Sequence, residues 1–525
     1  MEADGERESD DDDESNHSDD DESDSDSDDN ECLDLNQETL VRLQRNDPDM
    51  IGLKVGSDTW IEGTGLAIAK SLCLKRLKVD VESDDHWLAE LSAWLTCNET
   101  IETISLKCES GVLGFFSPFF LNNRNLRCID ITNKYDLYTP NLSSLAVALS
   151  NCKSDRLESI SFLNLNLRSA GDQEVEELFH SLKGKPRLAK ISLNNNTVER
   201  LGCKALANLL KSPSTNIQEL DLSHSSIDND DMAILCGAII KSKTLQVLSL
   251  ASNSLLSVSG FFSLSTVLSH PITVIHCMLL DRTGLDDERI SFLGDALKIN
   301  KTLYSLSLRH NESITLEGWK AFSKCFTNPQ SELTTLFLCG CNIDDEGAAT
   351  LATALATNTS LTKLNMSKNT RITSRGLVAF FNLLLDNKKS ALETLVITNN
   401  NIDVEGMGWE DWDILSRALC DKTDIMSTFT SNHAFYSLGL DNLPDYENVW
   451  EEIYTLLELN NNFYDAARQK ILTYHFCNGR TGVHPLACLH ETVLPYAIEW
   501  MGRDEDKDGY STIFAFVQSF PSFFN

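Results

Sequence analysis

The stretch from Leu333 to Asn358 decides how the rest of the chain is interpreted. It reads Leu333-Thr-Thr-Leu336-Phe-Leu338-Cys-Gly-Cys-Asn-Ile, then Asp-Asp-Glu-Gly-Ala-Ala-Thr-Leu-Ala-Thr-Ala-Leu-Ala-Thr-Asn358. Leu336 and Leu338 are two residues apart and therefore face the same side of a short strand. The later leucines are four residues apart, as expected for a helix with one buried face. The stretch predicts one strand followed by one helix.

The same opening, with apolar residues at its first, fourth and sixth positions, recurs along most of the chain. Most successive starts are 28 to 31 residues apart, and the first three spacings are 24, 27 and 25. The starts are Met50, Leu74, Ile101, Leu126, Leu157, Leu188, Ile217, Leu245, Ile275, Leu303, Leu333, Leu361, Leu392 and, in weaker form, Ile425. The pattern predicts about 14 stacked strand–helix units.

The ninth position of the opening is Asn or Cys in the most regular units. A side chain there can bond the backbone of neighbouring turns and form a ladder along the stack. These residues are Asn196, Asn253, Asn311, Cys341, Asn369 and Asn400, while Leu165, Ser225 and Thr283 depart from the pattern. Because strands lie about 4.8 Å apart and helices are wider, the stack must curve. We therefore expect an α/β horseshoe solenoid, with a parallel sheet on its concave face and helices on its convex face.

This long helix-containing repeat resembles the ribonuclease-inhibitor-like subfamily of leucine-rich-repeat proteins. The subfamily includes ribonuclease inhibitor, the repeat regions of nucleotide-binding innate-immune receptors and the activating protein of the small GTPase Ran. The resemblance covers roughly residues 48–435. It implies the horseshoe fold and leaves the function open, because one fold serves many functions.

An acidic Ser/Asp/Glu tract, residues 1–34, precedes the repeats and has 19 acidic residues against one base, Arg7. Such a segment cannot bury enough apolar surface to offset chain entropy, so we predict a disordered tail. Four serines have Asp three residues later, which resembles the sites of acidophilic kinases such as casein kinase 2. They are Ser9, Ser18, Ser23 and Ser25. The tail is interpreted either as a solubilising segment or as a regulated acidic arm that competes for a basic partner.

The solenoid is predicted to span residues 35–435, and residues 436–525 are predicted to form a helical cap. A cap is needed because the end of a solenoid exposes its core. The helical runs are Glu447 to Tyr474, Glu491 to Met501 and Ile513 to Phe520. The stretch from Ala466 to Phe476 and the closing Pro-Ser-Phe-Phe resemble the C-terminal segments of uncharacterised algal repeat proteins.

Two patterns in this segment bear on metal binding. Asp504-x-Asp506-x-Asp508-Gly begins like a calcium-binding loop, but Ala515 stands where such a loop needs a bidentate Glu. We interpret it as an acidic surface loop. A dense group of imidazoles and thiols matches no usual zinc spacing and is interpreted as packing. Its members are His475, Cys477, His484, Cys488 and His490. We predict no metal and no cofactor.

Charge and cysteine usage narrow the class of protein. The net charge is −35, and residues 35–525 carry about half of it, which argues against binding to nucleic acid or anionic membranes. The 15 cysteines are scattered without a CxxC pair, and no signal peptide or spanning apolar run is seen. We expect reduced thiols in a cytoplasmic or nuclear protein. The sequence has no GxxxxGK[ST], GxSxG or HExxH motif, so we predict a protein without enzymatic activity.

The outward positions of the strands indicate where a partner would bind. The central row is small or charged over the first eight units and largely apolar afterwards. Its apolar members are Leu279, Phe337, Val396 and Phe429, and the cationic residues beside them are Arg282, Arg309, His310, Lys363 and Lys368. An aromatic patch edged with cations is typical of a protein-binding site. The alternative interpretation is that the cap folds back and buries Phe337 and Phe429.

The leading hypothesis is a non-enzymatic scaffold that binds a protein partner on the concave face. One alternative is a GTPase activator resembling the Ran activator, although in that family the acidic tail lies at the C-terminal end. The other is the sensor subunit of a receptor complex. A stimulated GTP hydrolysis assay and co-purification with an ATPase would test these alternatives.

Overall fold

The computed structural model describes residues 32–477 apart from 83–85, 110–111, 135–141, 166, 168–171, 442–446 and 463–465. The four serines of the acidic tail, Ser9, Ser18, Ser23 and Ser25, lie outside the described residues. So do the calcium-like motif that begins at Asp504, and the metal candidates His484, Cys488 and His490.

The backbone forms one parallel sheet in which the strands follow each other in chain order. The fifteen strands are β1 Leu33–Asp34, β2 Gly52–Gly56, β3 Arg76–Val81, β4 Thr103–Cys108, β5 Cys128–Asn133, β6 Ser159–Leu163, β7 Lys190–Ser192, β8 Glu219–Asp221, β9 Val247–Ser249, β10 Cys277–Leu279, β11 Ser305–Ser307, β12 Thr335–Phe337, β13 Lys363–Asn365, β14 Thr394–Val396 and β15 Ser437–Gly439. Each pairs with the next, which confirms the predicted solenoid.

Helices follow the strands. They are α1 Gln37–Gln44, α2 Thr64–Lys70, α3 Leu88–Leu95, α4 Leu113–Asn122, α5 Leu142–Ser150, α6 Asp172–Ser181, α7 Arg200–Leu210, α8 Asn229–Ile239, α9 Val258–Ser269, α10 Asp287–Leu297, α11 Leu316–Phe322, α12 Asp345–Leu355, α13 Ser374–Asp386, α14 Trp409–Leu419, α15 Ile425–Phe429, α16 Glu447–Asn462 and α17 Ala466–Ile471. Residues Ser57–Thr59 and Ser323–Thr327 form 3₁₀ turns, and Leu472–Cys477 forms a π-helical turn.

The core lies between the sheet and the helices. From β2 to β14 the inward apolar side chains are buried, as Leu336 is on β12, and the turn that follows buries Leu338. The helices bury one stripe of leucines against them, for example Leu351 and Leu355 of α12. One apolar cluster therefore runs through the whole described solenoid.

The asparagine ladder is present as predicted. The Asn253 side chain accepts hydrogen bonds from the backbone N–H groups of Ser225 (3.2 Å) and Ile227 (2.9 Å). It donates to the carbonyl oxygens of Leu222 and Leu250, both at 2.8 Å. The ladder tolerates a hydroxyl, because the Ser225 Oγ occupies the same position one unit earlier and donates to a backbone carbonyl.

A second ladder, not predicted from the sequence, connects the ends of the helices. The Asn300 side chain donates to the carbonyl oxygen of Leu268 (2.7 Å) in the preceding unit. Its Oδ1 accepts from the N–H groups of Thr302 and Leu303, immediately before β11. Asn98 and Asn358 make the same contacts in their own units. Asn432 makes the accepting contacts, with the N–H groups of Ala434 and Phe435. Each sets the start of the next strand.

The structure corrects the last predicted repeat. The segment that begins at Ile425 is the helix α15, because the Asp424 side chain accepts from the Ser427 N–H and caps it. The next strand starts after Asn432, whose Oδ1 accepts from the N–H of Phe435 (2.9 Å). The predicted placement of Phe429 on the central row is therefore wrong. The sheet also has a first strand, β1, that was not among the predicted starts.

The described part of the cap packs on the last units from the helical side. Helix α16 lies against α14, and α17 lies against α15. The rings of Trp412 and Trp450 meet edge to face, with centroids 5.5 Å apart. Lys422 forms an ion pair with Glu452, and its ammonium lies 4.4 Å from the ring centroid of Tyr474.

The burial of Lys470 predicts that the stability of this junction depends on pH. Its ammonium group is buried and donates to the carbonyl oxygens of Leu419 (2.6 Å) and Asn432 (3.3 Å). Burial lowers the pKa of Lys470 from 10.5 to about 7. Burial, and then the charge of Lys470, lower the pKa of His433 from 6.5 to about 4.

Both shifts favour the uncharged side chain in the folded state, so the unfolded chain binds more protons and stability rises with pH. The stability that depends on His433 rises between pH 4 and 6.5, and the stability that depends on Lys470 begins to rise near pH 7. We expect the urea midpoint to increase from about pH 7 to 9 and this increase to disappear in Lys470→Met. An equal slope in the wild-type and variant proteins would show that Lys470 stays charged when folded.

Candidate functional site on the concave sheet face

The strand register places the predicted patch residues on one face. Leu279, Ser307, Phe337, Asn365 and Val396 are paired in that order across β10 to β14. Leu279 and Val396 are therefore each two strands, or about 10 Å, from Phe337. Polar residues separate the apolar ones, so the patch is a row of separated apolar contacts rather than a continuous hydrophobic surface.

Arg309 and Phe337 form the centre of this patch. The guanidinium carbon lies 4.6 Å from the ring centroid, close enough for a cation–π contact. The backbone N–H of Arg309 donates to the carboxylate of Asp281 (2.9 Å), which also accepts from the hydroxyl of Ser307. Burial raises the pKa of Asp281, and these hydrogen bonds partly offset that rise. A half-buried carboxylate thus holds the backbone of Arg309, whose guanidinium covers the aromatic ring of Phe337.

Other predicted cations line the turns after the strands. Arg282, His310 and Lys368 all have left-handed backbone, with φ of 53°, 56° and 58°. Gly340 takes the same place in the intervening unit, with φ of 62°. A Cβ on Gly340 would lie 2.7 Å from the His310 ring, so a glycine leaves room for the imidazole. These groups form a basic edge to the patch.

Two predicted residues lie away from this edge. Lys363 is exposed at the start of β13, on the other side of the central row. Phe429 is 50% exposed at the end of α15 and belongs to neither row. The structure therefore brings together Leu279, Arg309, His310 and Phe337 and leaves Phe429 out.

Sequence reasoning missed Asp281. Outward side chains form three rows across β10 to β14, namely the central row, the row two residues before it and the row two residues after it. Asp281 lies in the last of these and is the one acidic residue in the three rows, all of which lie within the described residues. Writing out the row two positions after the central one, which holds Arg309 and Cys339, would have revealed it. A single acidic residue between cationic ones on a strand face indicates that its carboxylate binds and positions its neighbours.

Burial disfavours ionisation of the thiols near this face. Burial raises the pKa values of Cys277 and Cys339, and that of Cys341 to about 12. Cysteines need a lowered pKa to act as nucleophiles. The thirteen cysteines from Cys32 to Cys420 are all free thiols.

Within the described residues, no three His, Cys, Asp or Glu side chains come together as a metal site. No described helix combines the length and apolar character needed to cross a membrane.

A family model described as "Leucine Rich repeat" matches residues 332–352 and 357–381, which contain β12, β13 and parts of α12 and α13. The chain is a leucine-rich-repeat protein. The match covers two successive units and agrees with the strand–helix alternation along the whole sheet.

The repeats are of the ribonuclease-inhibitor-like type. The chain is 26% identical over 239 residues to mouse ribonuclease inhibitor, covering 46% of this chain and 51% of that protein. It is 30% identical over 264 residues to mouse "NACHT, LRR and PYD domains-containing protein 4E", covering 50% of this leucine-rich-repeat chain and 25% of that protein. The chain thus matches about half or less of the length of these relatives.

Among solved structures, the repeat-containing protein LegL7 of Legionella pneumophila aligns with a TM-score of 0.39 and 16% identity, over 65% of this chain and 93% of that one. The yeast Rad7 and Elc1 complex aligns with a TM-score of 0.40 and 12% identity, covering 71% of this chain and 90% of that one.

Proposed function

We propose that this leucine-rich-repeat protein is a non-enzymatic scaffold that binds a protein partner on the C-terminal half of its concave face. The observation that carries the proposal is the stack of Arg309 on Phe337. Arginine and aromatic side chains are enriched among the residues that dominate interface energetics. Because the stack already exists in the chain without a partner, binding orders few additional side chains.

The chemistry of the patch suggests the kind of partner. Leu279 and Val396 offer apolar contacts on either side of Phe337. Arg282, His310 and Lys368 supply cations along the turn edge, and Lys363 supplies one on the opposite side. A segment with apolar side chains flanked by carboxylates would match this arrangement.

The matched relatives support a binding role, since ribonuclease inhibitor is named for binding rather than catalysis. The raised pKa values of the nearby thiols also support it. The GTPase activator and the receptor sensor subunit remain alternative proposals. Stimulated GTP hydrolysis by a purified small GTPase would favour the first, and co-purification of a nucleotide-binding subunit would favour the second.

The test compares two phenylalanine substitutions during affinity purification from the native cell with quantitative mass spectrometry. Phe337→Asp places a charge beneath Arg309 and removes the ring, so recovery of a stoichiometric partner should fall by about thirtyfold, the effect of a typical hot-spot residue. Phe429→Asp changes an equally bulky residue outside the patch and should leave recovery unchanged.

Far-UV circular dichroism and thermal unfolding establish that both variants are folded. Normal recovery with folded Phe337→Asp would contradict the proposal. Equal losses with both substitutions would also contradict it, because they would place the interface outside the patch or extend it to α15.

A further inference from the structure

A second charged surface lies at the opposite end of the sheet. The outward positions of β2 to β4 carry four bases, Lys54, Arg76, Lys78 and Lys107. Lys54 is paired with Lys78 in register, and Arg76 and Lys78 are two residues apart on β3. Like charges placed side by side on a sheet destabilise it. We call these four residues the basic patch.

The nearby acids balance only part of this charge. Asp80, the one acid on the outward positions of β2 to β4, lies opposite Lys107 in register and is also bound by the ammonium of Lys134. Asp34 of β1 approaches Lys54 at 3.7 Å, with both side chains largely exposed. Asp130 lies on β5, two strands from Lys78. Arg76, Lys78 and Asp130 also interact with neighbouring groups. The feature that would attract an anionic segment is therefore the local excess of positive charge.

The acidic N-terminal segment enters the fold beside this patch. Residues 1–31 contain eighteen acidic residues and one base. The described chain starts at residue 32, and Asp34, three residues after the segment, pairs in register with Lys54. A segment of this length can reach about 100 Å when extended, whereas the basic patch spans three strands, or about 10 Å. The acidic segment therefore has the charge, the point of attachment and the length needed to contact the basic patch.

We propose that residues 1–31 dock on the basic patch of the same chain and cover the N-terminal part of the concave face. The segment of the same chain is favoured over another molecule because its short tether gives it a local concentration in the millimolar range at the patch. The basic edge near Phe337 is a poorer target, since Lys363 lies eleven strands from Lys54, or about 50 Å. Phosphorylation of Ser9, Ser18, Ser23 or Ser25 would add negative charge and strengthen docking.

Zero-length carbodiimide cross-linking of the full-length chain tests this directly, because the reagent joins a carboxylate to a lysine amine only in contact. A mixture of ¹⁴N- and ¹⁵N-labelled chains distinguishes links within one molecule from links between copies. We expect links from residues 1–31 to Lys54, Lys78 and Lys107 within one molecule. Lys70, exposed at the end of α2 and equally near in sequence, should be linked several-fold less.

Two charge reversals provide a matched pair of variants. Lys54→Glu with Lys107→Glu should reduce links to Lys78 by at least about fivefold, because two attractive contacts become repulsive. Lys204→Glu with Lys211→Glu makes the same change in net charge at exposed positions in α7 and at its C-cap, and should leave the links unchanged. Raising the salt concentration to about 1 M should suppress the Lys78 links.

The remaining outcomes overturn the proposal. They are equal linking of Lys70 and Lys78, preferred linking to Lys363 or Lys368, and links only between copies. A full loss of the links in the Lys204 and Lys211 variant would overturn it too, since net charge alone would then explain the effect. Unchanged circular dichroism in both double variants excludes unfolding, and Lys54→Gln with Lys107→Gln should show an intermediate loss.

Discussion

Replacing Asn369 with alanine is expected to lower the free energy of unfolding by about 3 to 5 kcal/mol. The Asn369 side chain is fully buried and accepts from the backbone N–H groups of Cys341 (2.8 Å) and Ile343 (3.0 Å). It donates to the carbonyl oxygens of Leu338 and Met366, both at 2.9 Å. Alanine would leave four buried backbone groups without this partner, and each costs about 1 to 3 kcal/mol when none replaces it.

Urea unfolding of the two proteins measures this loss, and Asn382→Ala is the control. Asn382 is an exposed residue of α13 whose side chain bonds only its own helix, at the carbonyl of Val378. Alanine is a better helix former than asparagine, so stability should stay the same or rise slightly. A loss below about 1 kcal/mol for Asn369→Ala would mean that water replaces the amide.

The ladder also determines the geometry of the proposed binding site. Leu338 and Met366, whose carbonyls bond Asn369, lie in the turns that follow Phe337 and Asn365. Hydrogen exchange in these turns should therefore accelerate in Asn369→Ala, because units of a solenoid are stabilised mainly by their neighbours.

The sequence predicted the solenoid because each unit repeats a strict period. Leu336 and Leu338 recur at a spacing of two, and Asn253, Asn311 and Asn369 recur at the ninth position, so strand, turn and ladder follow from one pattern. The second ladder escaped notice because its asparagines lie before the repeat opening and follow helices of unequal length, such as α3 before Asn98 and α10 before Asn300. Counted back three residues from each repeat start, such as Leu303 and Leu361, they form a visible row, and Asn432 would have located β15.

The ends of the solenoid were harder to predict for a physical reason. Ile425 stands at an apolar position a repeat length after Leu392, but a local cap at Asp424 favours a helix over the weak strand pattern. The two-residue strand β1 depends on pairing with β2 rather than on any pattern of its own. Terminal units lack one neighbour and therefore depart from the repeat.

The site was predictable in position but not in detail. The period of two residues places Leu279, Phe337 and Val396 on the outward row. The stacking of Arg309 on Phe337 depends on side-chain rotamers across two strands, which no single-strand pattern encodes. The support of Arg309 by Asp281 depends likewise on the register between β10 and β11.

Replacing Trp412 with alanine is expected to lower the free energy of unfolding by about 3 to 5 kcal/mol. Trp412 is buried in α14, and its ring lies between those of Phe381 (5.6 Å between centroids) and Trp450 (5.5 Å). It therefore joins the preceding unit to the cap helix α16. Its indole Nε1 has no hydrogen-bond partner among the described residues, so the loss comes from packing and from the cavity left behind.

Trp409 supplies the control, because it lies three residues earlier on the same helix and is 68% exposed. Trp409→Ala should change stability by no more than about 0.5 kcal/mol. Hydrogen exchange should accelerate across residues 450–462 in Trp412→Ala and remain slow in Trp409→Ala, because only the first substitution removes the contact with Trp450. Equal protection of α16 in both variants would show that the cap is held by the Lys422–Glu452 ion pair and the buried Lys470 instead.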